Sequence, residues 1–207
     1  MMPSFKWNRT PKFYINLLRR KDRAIKVEEE FSKHGLIVLP WEAQDSLELV
    51  VPFDSPKRNE CNAAGILACA ISHVSLIRYA RDNEFKYVVI FEDDVLLSDN
   101  FASKIKYIES IKEDWDLFYL GCHHYESTAT SHDEIYQVSV AAGTYGYIMK
   151  NTLFDFVVEN WRYRYGWDEF LDYEILKRFK ALAILPPIVT TYPNFSDVAG
   201  HYVNYKL

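Results

Sequence analysis

Apolar positions along this chain switch between two periods, and the switches mark out its elements. Phe13 to Leu17 is a short apolar run that predicts a first strand. From Arg19 to His34, Ala24, Val27 and Phe31 recur at helical spacing, and Gly35 supplies the stop. Ile37 to Leu39 predicts a second strand, ended by Pro40. Strand, helix and strand within about thirty residues is the pattern of a parallel βαβ unit. Gly65 to Asn83 returns to helical spacing through Ile66, Cys69, His73, Leu76, Ile77 and Ala80. Tyr87 to Phe91 is apolar without a break and rich in β-branched and aromatic side chains, as befits a strand buried on both faces.

Further on, Ser98 or Asp99 is expected to cap a helix running to about Lys112. Leu117 to Leu120 predicts a strand closed by Gly121, and His123 to Glu134 a polar, mobile turn. Ile135 to Ala141 and Tyr145 to Met149 predict separate strands, Thr152 to Asn160 a short helix, and Asp168 to Phe179 another. Pro186 and Pro187 make Ile184 to Val189 irregular or an edge, and Glu42 to Asn62 reads as a long loop. The fold class that emerges is α/β: one domain over residues 1–207, with a mainly parallel, Rossmann-like sheet flanked by helices.

Composition narrows the function. Nearly half of the 207 residues are apolar, which is ordinary for a globular chain and excludes disorder. A net charge of −5 argues against nucleic acid as a partner. Eight basic residues nevertheless lie between Lys6 and Lys26 with Asp22 alone opposing them, a cluster suited to a phosphorylated ligand, to peripheral contact with an anionic membrane, or to a solvated helix face. Cys61, Cys69 and Cys122 have no metal-ligand spacing and fit a reducing compartment. No apolar run approaches the roughly 20 residues of a membrane span, and the N-terminal residues do not read as a signal peptide. The expected location is the cytoplasm, at most peripheral at the inner face of a membrane.

The chemistry centres on Glu92, Asp93 and Asp94, which follow the buried strand at once. Ligands of open α/β sheets bind beyond the carboxyl ends of strands. Adjacent carboxylates repel unless a cation offsets them, and oxygen ligands suit a hard ion such as Mn²⁺ or Mg²⁺. On extended backbone Glu92 and Asp94 point one way and Asp93 the other. Asp94 is the leading metal ligand, with Glu92 a second ligand or a ribose partner. Asp197 or His201 is a candidate to complete the site. Asn16 and Arg23 follow the first strand, where a nucleotide would lie, although a surface salt bridge explains Arg23 equally well. His73, beside Ser72 on an apolar helix, reads first as a hydrogen-bonded core histidine.

These motifs stand in a familiar order. Tyr14-Ile15-Asn16-Leu17 precedes Asp22-Arg23, then Gly65 to Cys69 with Ser72-His73, then Val89 to Val95 with its acids. Gly143-Thr144 with Tyr147, Trp167-Asp168, Pro186-Pro187 and Ser196-Asp197 complete the set. The chain resembles the family 25 glycosyltransferases, which include lipooligosaccharide and collagen galactosyltransferases. Tyr145-Gly146 departs from the His-Ala pair common there, and Trp167 from the usual Val. The resemblance implies a GT-A-like fold, a UDP-sugar donor (usually UDP-galactose), a divalent metal and inverting transfer to a glycan, lipid-linked or protein acceptor. It also implies donor-site roles for Ser72 and His73, and for Glu92 and Asp93 in the acid motif.

An inverting transfer needs a carboxylate to accept the acceptor hydroxyl's proton, on a segment apart from the acids that hold the metal. Asp168, after the aromatic stretch Trp161 to Trp167, is the leading candidate, with Glu169 and Asp172 as substitutes. Helix capping explains an Asp there too. The residues after 192, carrying Tyr192, Phe195, Tyr202 and Tyr205, are expected to close over the donor. Two other readings remain: a nucleotide- or carbohydrate-binding domain without turnover, and a sugar nucleotidyltransferase. The latter would normally place a Gly-rich loop where this chain has Leu17-Leu18-Arg19-Arg20-Lys21.

Overall fold

In a computed structural model, which describes residues 5–49, 63–163 and 165–204, the chain alternates strands and helices. Its first half runs β1 (Lys12–Asn16), α1 (Lys21–Lys33), β2 (Leu39–Glu42), α2 (Ala63–Asp82), β3 (Tyr87–Glu92), β4 (Val95–Leu97) and α3 (Phe101–Ser110). The long strands β5 (Leu117–Ala129) and β6 (Ile135–Lys150) follow, then α4 (Phe154–Asn160) and α5 (Trp167–Phe170). A π-helical turn at Leu171–Ile175 extends α5. Short strands β7 (Ala181–Ile184), β8 (Val189–Thr191), β9 (Asn194–Ser196) and β10 (His201–Val203) close the chain.

Six strands make one sheet in the order β2-β1-β3-β6-β5-β7. Its β2-β1-β3 side is parallel, as the βαβ pattern predicts, but β6 runs antiparallel to both β3 and β5. Because β7 is parallel to β5, β6 alone runs against the other five strands, and the sheet is mixed but mostly parallel, as expected. The cause is a hairpin: β5 returns directly as β6 with no helical crossover, and a direct return makes an antiparallel pair.

That hairpin was hidden by two glycines. Gly121 reads as a strand end but sits inside β5, and His123 to Ala129 continue the strand instead of forming a mobile turn. Gly143 reads as a break between two strands but lies inside β6, with φ at 72°. Other boundaries shift for local reasons. The second strand runs through Pro40, which is tolerated because β2 is an edge strand. Neither Ser98 nor Asp99 caps α3; Asn100 holds the N-cap position without a side-chain cap bond. Of the expected loop at Glu42 to Asn62, positions 50–62, and Cys61 with them, lie outside the described residues.

Helices cover both faces. Val88 and Ile90 of β3 face a core built with Leu76 and Ile77 of α2, Phe154, Val157 and Trp167. Val89 and Phe91 face a second core with Val27 and Phe31 of α1 and Ile105 and Ile108 of α3. All four β3 side chains are fully buried, as the unbroken apolar run requires. Helix α2 is long and apolar enough to cross a membrane by length and composition, yet it packs against α4, α5 and β3. Its apolarity comes from being a core helix.

Gly121 is where the main sheet meets β8. A Cβ there would stand 1.9 Å from the Val189 carbonyl oxygen, and backbone cannot give way as a flexible side chain can. Gly121→Ala should lower the unfolding free energy by about 2–3 kcal/mol, as measured by urea denaturation. A change below about 0.5 kcal/mol would show that the β5–β8 contact is loose.

Candidate active site

Beyond the carboxyl ends of β1 and β3 lies a cleft of about 420 Å³. Ile15, Leu17, Ala43, Gln44 and Ser72 line it from β1, the segment after β2 and α2; His123, Gly143 to Tyr145 and Trp167 to Glu169 line it from β5, β6 and α5. Glu92, Asp93, Asp94 and Arg23 form its floor, and Ser196 to Val198 and Val203 form its rim. Among the described lining residues Arg23 is the one cation, facing carboxylates at positions 92, 93, 94, 168, 169 and 197.

Strand β3 ends at Glu92 and the chain turns at Asp93 and Asp94 before β4. The expected alternation of side chains therefore stops at Glu92. Asp93 and Asp94 share Arg23, whose guanidinium lies 2.5 Å from Asp93 Oδ1 and 3.3 Å from Asp94 Oδ2. Arg23 is no surface ion pair; it is buried, and it also donates to Asn194 Oδ1 and the Phe195 carbonyl. Asn16 Nδ2 donates to Asp93 Oδ2 at 2.7 Å, and Asn194 Nδ2 to Asp94 Oδ2 at 2.9 Å. Burial pushes the Asp93 pKa up to about 6 even against the pull of Arg23. Burial, then Asp94, Asp168 and Asp93, hold Glu92 well above the usual carboxylate range.

Asp168 is not a helix cap. Gly166 holds the N-cap position of α5, and Glu169 Oε2 accepts the Gly166 N–H at 3.1 Å, the one half of a capping box that a glycine N-cap allows. The Asp168 carboxylate reaches across to β6, where Oδ2 accepts the Gly143 N–H at 2.9 Å and Oδ1 the Thr144 hydroxyl at 3.3 Å. Thr144 Oγ1 lies equally 3.3 Å from Glu92 Oε1, so a single hydroxyl stands between the acids of β3 and Asp168. The positive φ of Gly143, with register shifts of the β5–β6 pairing nearby, turns Thr144 toward the cleft. Burial raises the Asp168 pKa, while the Gly143 and Thr144 bonds work against it.

Other predicted residues divide. Ser72 lines the cleft, but its hydroxyl accepts the Gln44 N–H and donates to the Ala68 carbonyl. His73 also lines it and is a core histidine as well: Nδ1 is 2.9 Å from the Tyr147 hydroxyl, and the ring stacks on Trp167. Burial drives its pKa down to about 3, so the ring is neutral. Asp172 lies outside the cleft lining, with a buried Oδ1 that has no partner. Asp197 reaches the rim, but its two oxygens are taken by Arg19 and Arg20. His201 is exposed, outside the lining, and its Nδ1 meets the Ala199 carbonyl.

A divalent ion fits this floor in part. Asp94 Oδ1 is buried without a partner, and the donors offered by Glu92 and Asp94 are all oxygen. Among the described residues, however, no group of three His, Cys, Asp or Glu gathers to hold an ion alone. Ligand oxygens would have to complete the coordination.

The sequence signature of glycosyltransferase family 25 (LPS biosynthesis protein) matches residues 9–169, most of the chain and nearly all of the cleft. The chain belongs to this family. Over 125 residues it is 29% identical to mouse procollagen galactosyltransferase 2, covering 53% of this chain and 20% of that protein. Human inactive glycosyltransferase 25 family member 3 is 28% identical over 125 residues, covering 53% of this chain and 21% of that protein. The match thus spans about a fifth of the length of these relatives. Among solved structures, a glycosyltransferase involved in the glycosylation of the major capsid of PBCV-1 aligns at TM-score 0.41 and 14% identity, over 80% of this chain and 76% of that one. A197 from STIV aligns at TM-score 0.46 and 11% identity, over 94% and 86%. Scores this low do not establish a common fold.

Within this family 25 chain, the residues that sequence reasoning missed are polar groups without a pattern of their own. Thr144 carried a signal, since it follows the glycine that interrupts β6. Asn194 stands in the tripeptide Asn194-Phe195-Ser196, which has the form of a glycosylation sequon and gives no hint of a buried role, whereas its side chain is buried against Arg23 and Asp94. The basic cluster of residues 6–26 is partly spent: Arg19, Arg20 and Arg23 pair with acids and Lys12 with backbone carbonyls, leaving Lys6, Arg9, Lys21 and Lys26 exposed.

Removing Arg23 would strand two buried carboxylates, so Arg23→Gln should cost about 3–5 kcal/mol at pH 8. The sign with pH is fixed. Without the guanidinium the Asp93 pKa rises beyond its present value of about 6, so the variant's folded state takes up a proton sooner as pH falls. The deficit relative to wild type should therefore shrink between pH 8 and pH 5, as urea denaturation across that range would measure. A pH-independent deficit would mean that Arg23 acts by packing alone.

Proposed function

We propose that this chain transfers a hexose, galactose by family habit, from a UDP-sugar to a hydroxyl of a glycan, lipid-linked saccharide or protein, with inversion. The observation that carries this reading is the placement of Asp168. It is a half-buried carboxylate with no capping role, held by Gly143 and Thr144 on a segment apart from Arg23 and the acids that follow β3. A single displacement needs a base on one side of the sugar and charge stabilisation on the other.

In this reading the nucleotide lies along Ile15, Leu17, Ala43 and Gln44, near the carboxyl end of β1. Asp168 takes the proton of the attacking hydroxyl, and burial, by raising its pKa, makes it a stronger base than a solvent-exposed carboxylate. Thr144 orients that carboxylate, and Gly143 fixes its second oxygen. Glu169 is a weaker candidate because it caps α5, and Asp172 because it lies outside the cleft lining. Mn²⁺ or Mg²⁺ would be held by Asp94 and Glu92, and when bound supplies Lewis-acid charge to the leaving diphosphate. The hairpin β9–β10 is the segment placed to cover the donor and keep water out. The GT-A assignment and a cytoplasmic location, with contact to a membrane through Lys6, Arg9, Lys21 and Lys26, belong to the same proposal.

A second reading, binding without turnover, is favoured by one finding: a relative named inactive is nearly as similar to this chain as one named a galactosyltransferase. Turnover separates the two. Release of UDP from a panel of UDP-sugars with Mn²⁺ should single out one sugar, and Asp168→Asn should lower that rate by about 10² with donor affinity nearly unchanged. Asp94→Ala should abolish the metal-dependent part of UDP binding in calorimetry. Tight UDP binding with no release from any sugar would favour the binding domain, and a near-normal rate in Asp168→Asn would refute the base.

A further inference from the structure

The cleft has an unsolved charge problem. A nucleoside diphosphate brings negative charge to a lining in which Arg23 is the one cation among the described residues, and Arg23 is already committed to Asp93, Asp94 and Asn194. The nearest further cations stand behind Asp197. Arg19 Nη2 lies 2.7 Å from Asp197 Oδ1, and Arg20 Nη1 lies 2.5 Å from Asp197 Oδ2. Two guanidiniums gripping both oxygens of one carboxylate is the geometry with which arginines grip a phosphate.

We propose that Arg19 and Arg20 form a subsite for phosphate groups, which Asp197 fills as a stand-in anion when no ligand is present. Three observations support it. The pair sits in the turn after β1, at the carboxyl end of the parallel half of the sheet, and the turn is tied to the acids through Asn16, which meets both the Arg20 carbonyl and Asp93. Each arginine also keeps a second acid, Asp45 for Arg19 and Asp22 for Arg20, at 2.7 and 2.9 Å, so both stay oriented when Asp197 leaves. Asp197 itself follows β9, whose pairing with β10 spans three residues on each strand. The hairpin tip is closed on itself by the Ala199 and Gly200 N–H bonds to Ser196, apart from the Asn194 anchor on Arg23.

The exchange is a competition between two anions. While Asp197 occupies the arginines, the apparent affinity for phosphate is reduced by the fraction of molecules in which it does so. The proposal rests on the nucleotide-sugar reading only for the identity of the natural anion. The probe is therefore inorganic pyrophosphate in EDTA, with neither nucleotide nor metal, titrated calorimetrically into the full chain. Asp197→Asn should bind it about tenfold more tightly than wild type. Adding Arg20→Gln to Asp197→Asn should remove that gain. Should that double variant fail to fold, Arg19→Gln on the same background serves, with thermal melting as the check.

An affinity in Asp197→Asn at or below wild type, or a gain that survives loss of the arginine, would overturn the subsite. The two proposals fail separately. If the gain appears and no UDP-sugar is turned over, the enzyme reading falls and the anion subsite stands. If turnover is normal and the gain is absent, the subsite falls alone.

Discussion

The site depends on one buried guanidinium. Arg23 leaves α1 and holds Asp93 and Asp94 from the turn after β3 together with Asn194 and the Phe195 carbonyl from β9. Burying a charge without partners costs several kcal/mol, and three adjacent acids would repel in the same space. Each arrangement makes the other tolerable. Burial is a heavy enough penalty that Asp93 and Glu92 still have raised pKa values, so the cluster is only partly neutralised. A cleft built this way holds a residual demand for positive charge, the condition under which a cation would bind there.

The mixed sheet supplies the second requirement, two groups of lining residues of different chemistry. The parallel half ends in the turn after β1 and the acids after β3, the usual place for a ligand in an α/β protein. The antiparallel hairpin β5–β6 passes beside β3 and, through Gly143, delivers Thr144 and the Asp168 contacts to the same cleft. A wholly parallel sheet would put a crossover helix where that hairpin runs. The one antiparallel strand, β6, is therefore what supplies the contacts by which Asp168 is held.

How much of this was legible follows from how local each signal is. Strand β3 could be read because burial on both faces demands an unbroken apolar run, and α1 because its apolar stripe and Gly35 stop lie within one segment. The acids could be read because they adjoin that strand. The hairpin could not, because glycine at 121 and 143 has one appearance for two purposes: ending an element, or permitting close approach and a bulge within it. Asp168 could be singled out as an acid at a helix start but not told from a cap, since the distinction lies in a contact with Gly143, 25 residues away. Arg19 and Arg20 read as part of a basic cluster, and their partner Asp197 comes from the opposite end of the chain.

Family membership leaves the chemistry to be argued from environment, because a relative named a galactosyltransferase and one named inactive stand within one per cent of each other in identity to this chain. Asp93 is buried and Asp168 half-buried, and their partners differ in kind. Asp93 accepts from a guanidinium and an amide, groups that favour a permanent negative charge, and only burial resists them. Asp168 accepts from a backbone N–H and from a hydroxyl that also reaches Glu92, both uncharged donors. Both have raised pKa values, but one carboxylate is tied to a cation and the other to neutral donors, so a single cleft holds two acids in different surroundings.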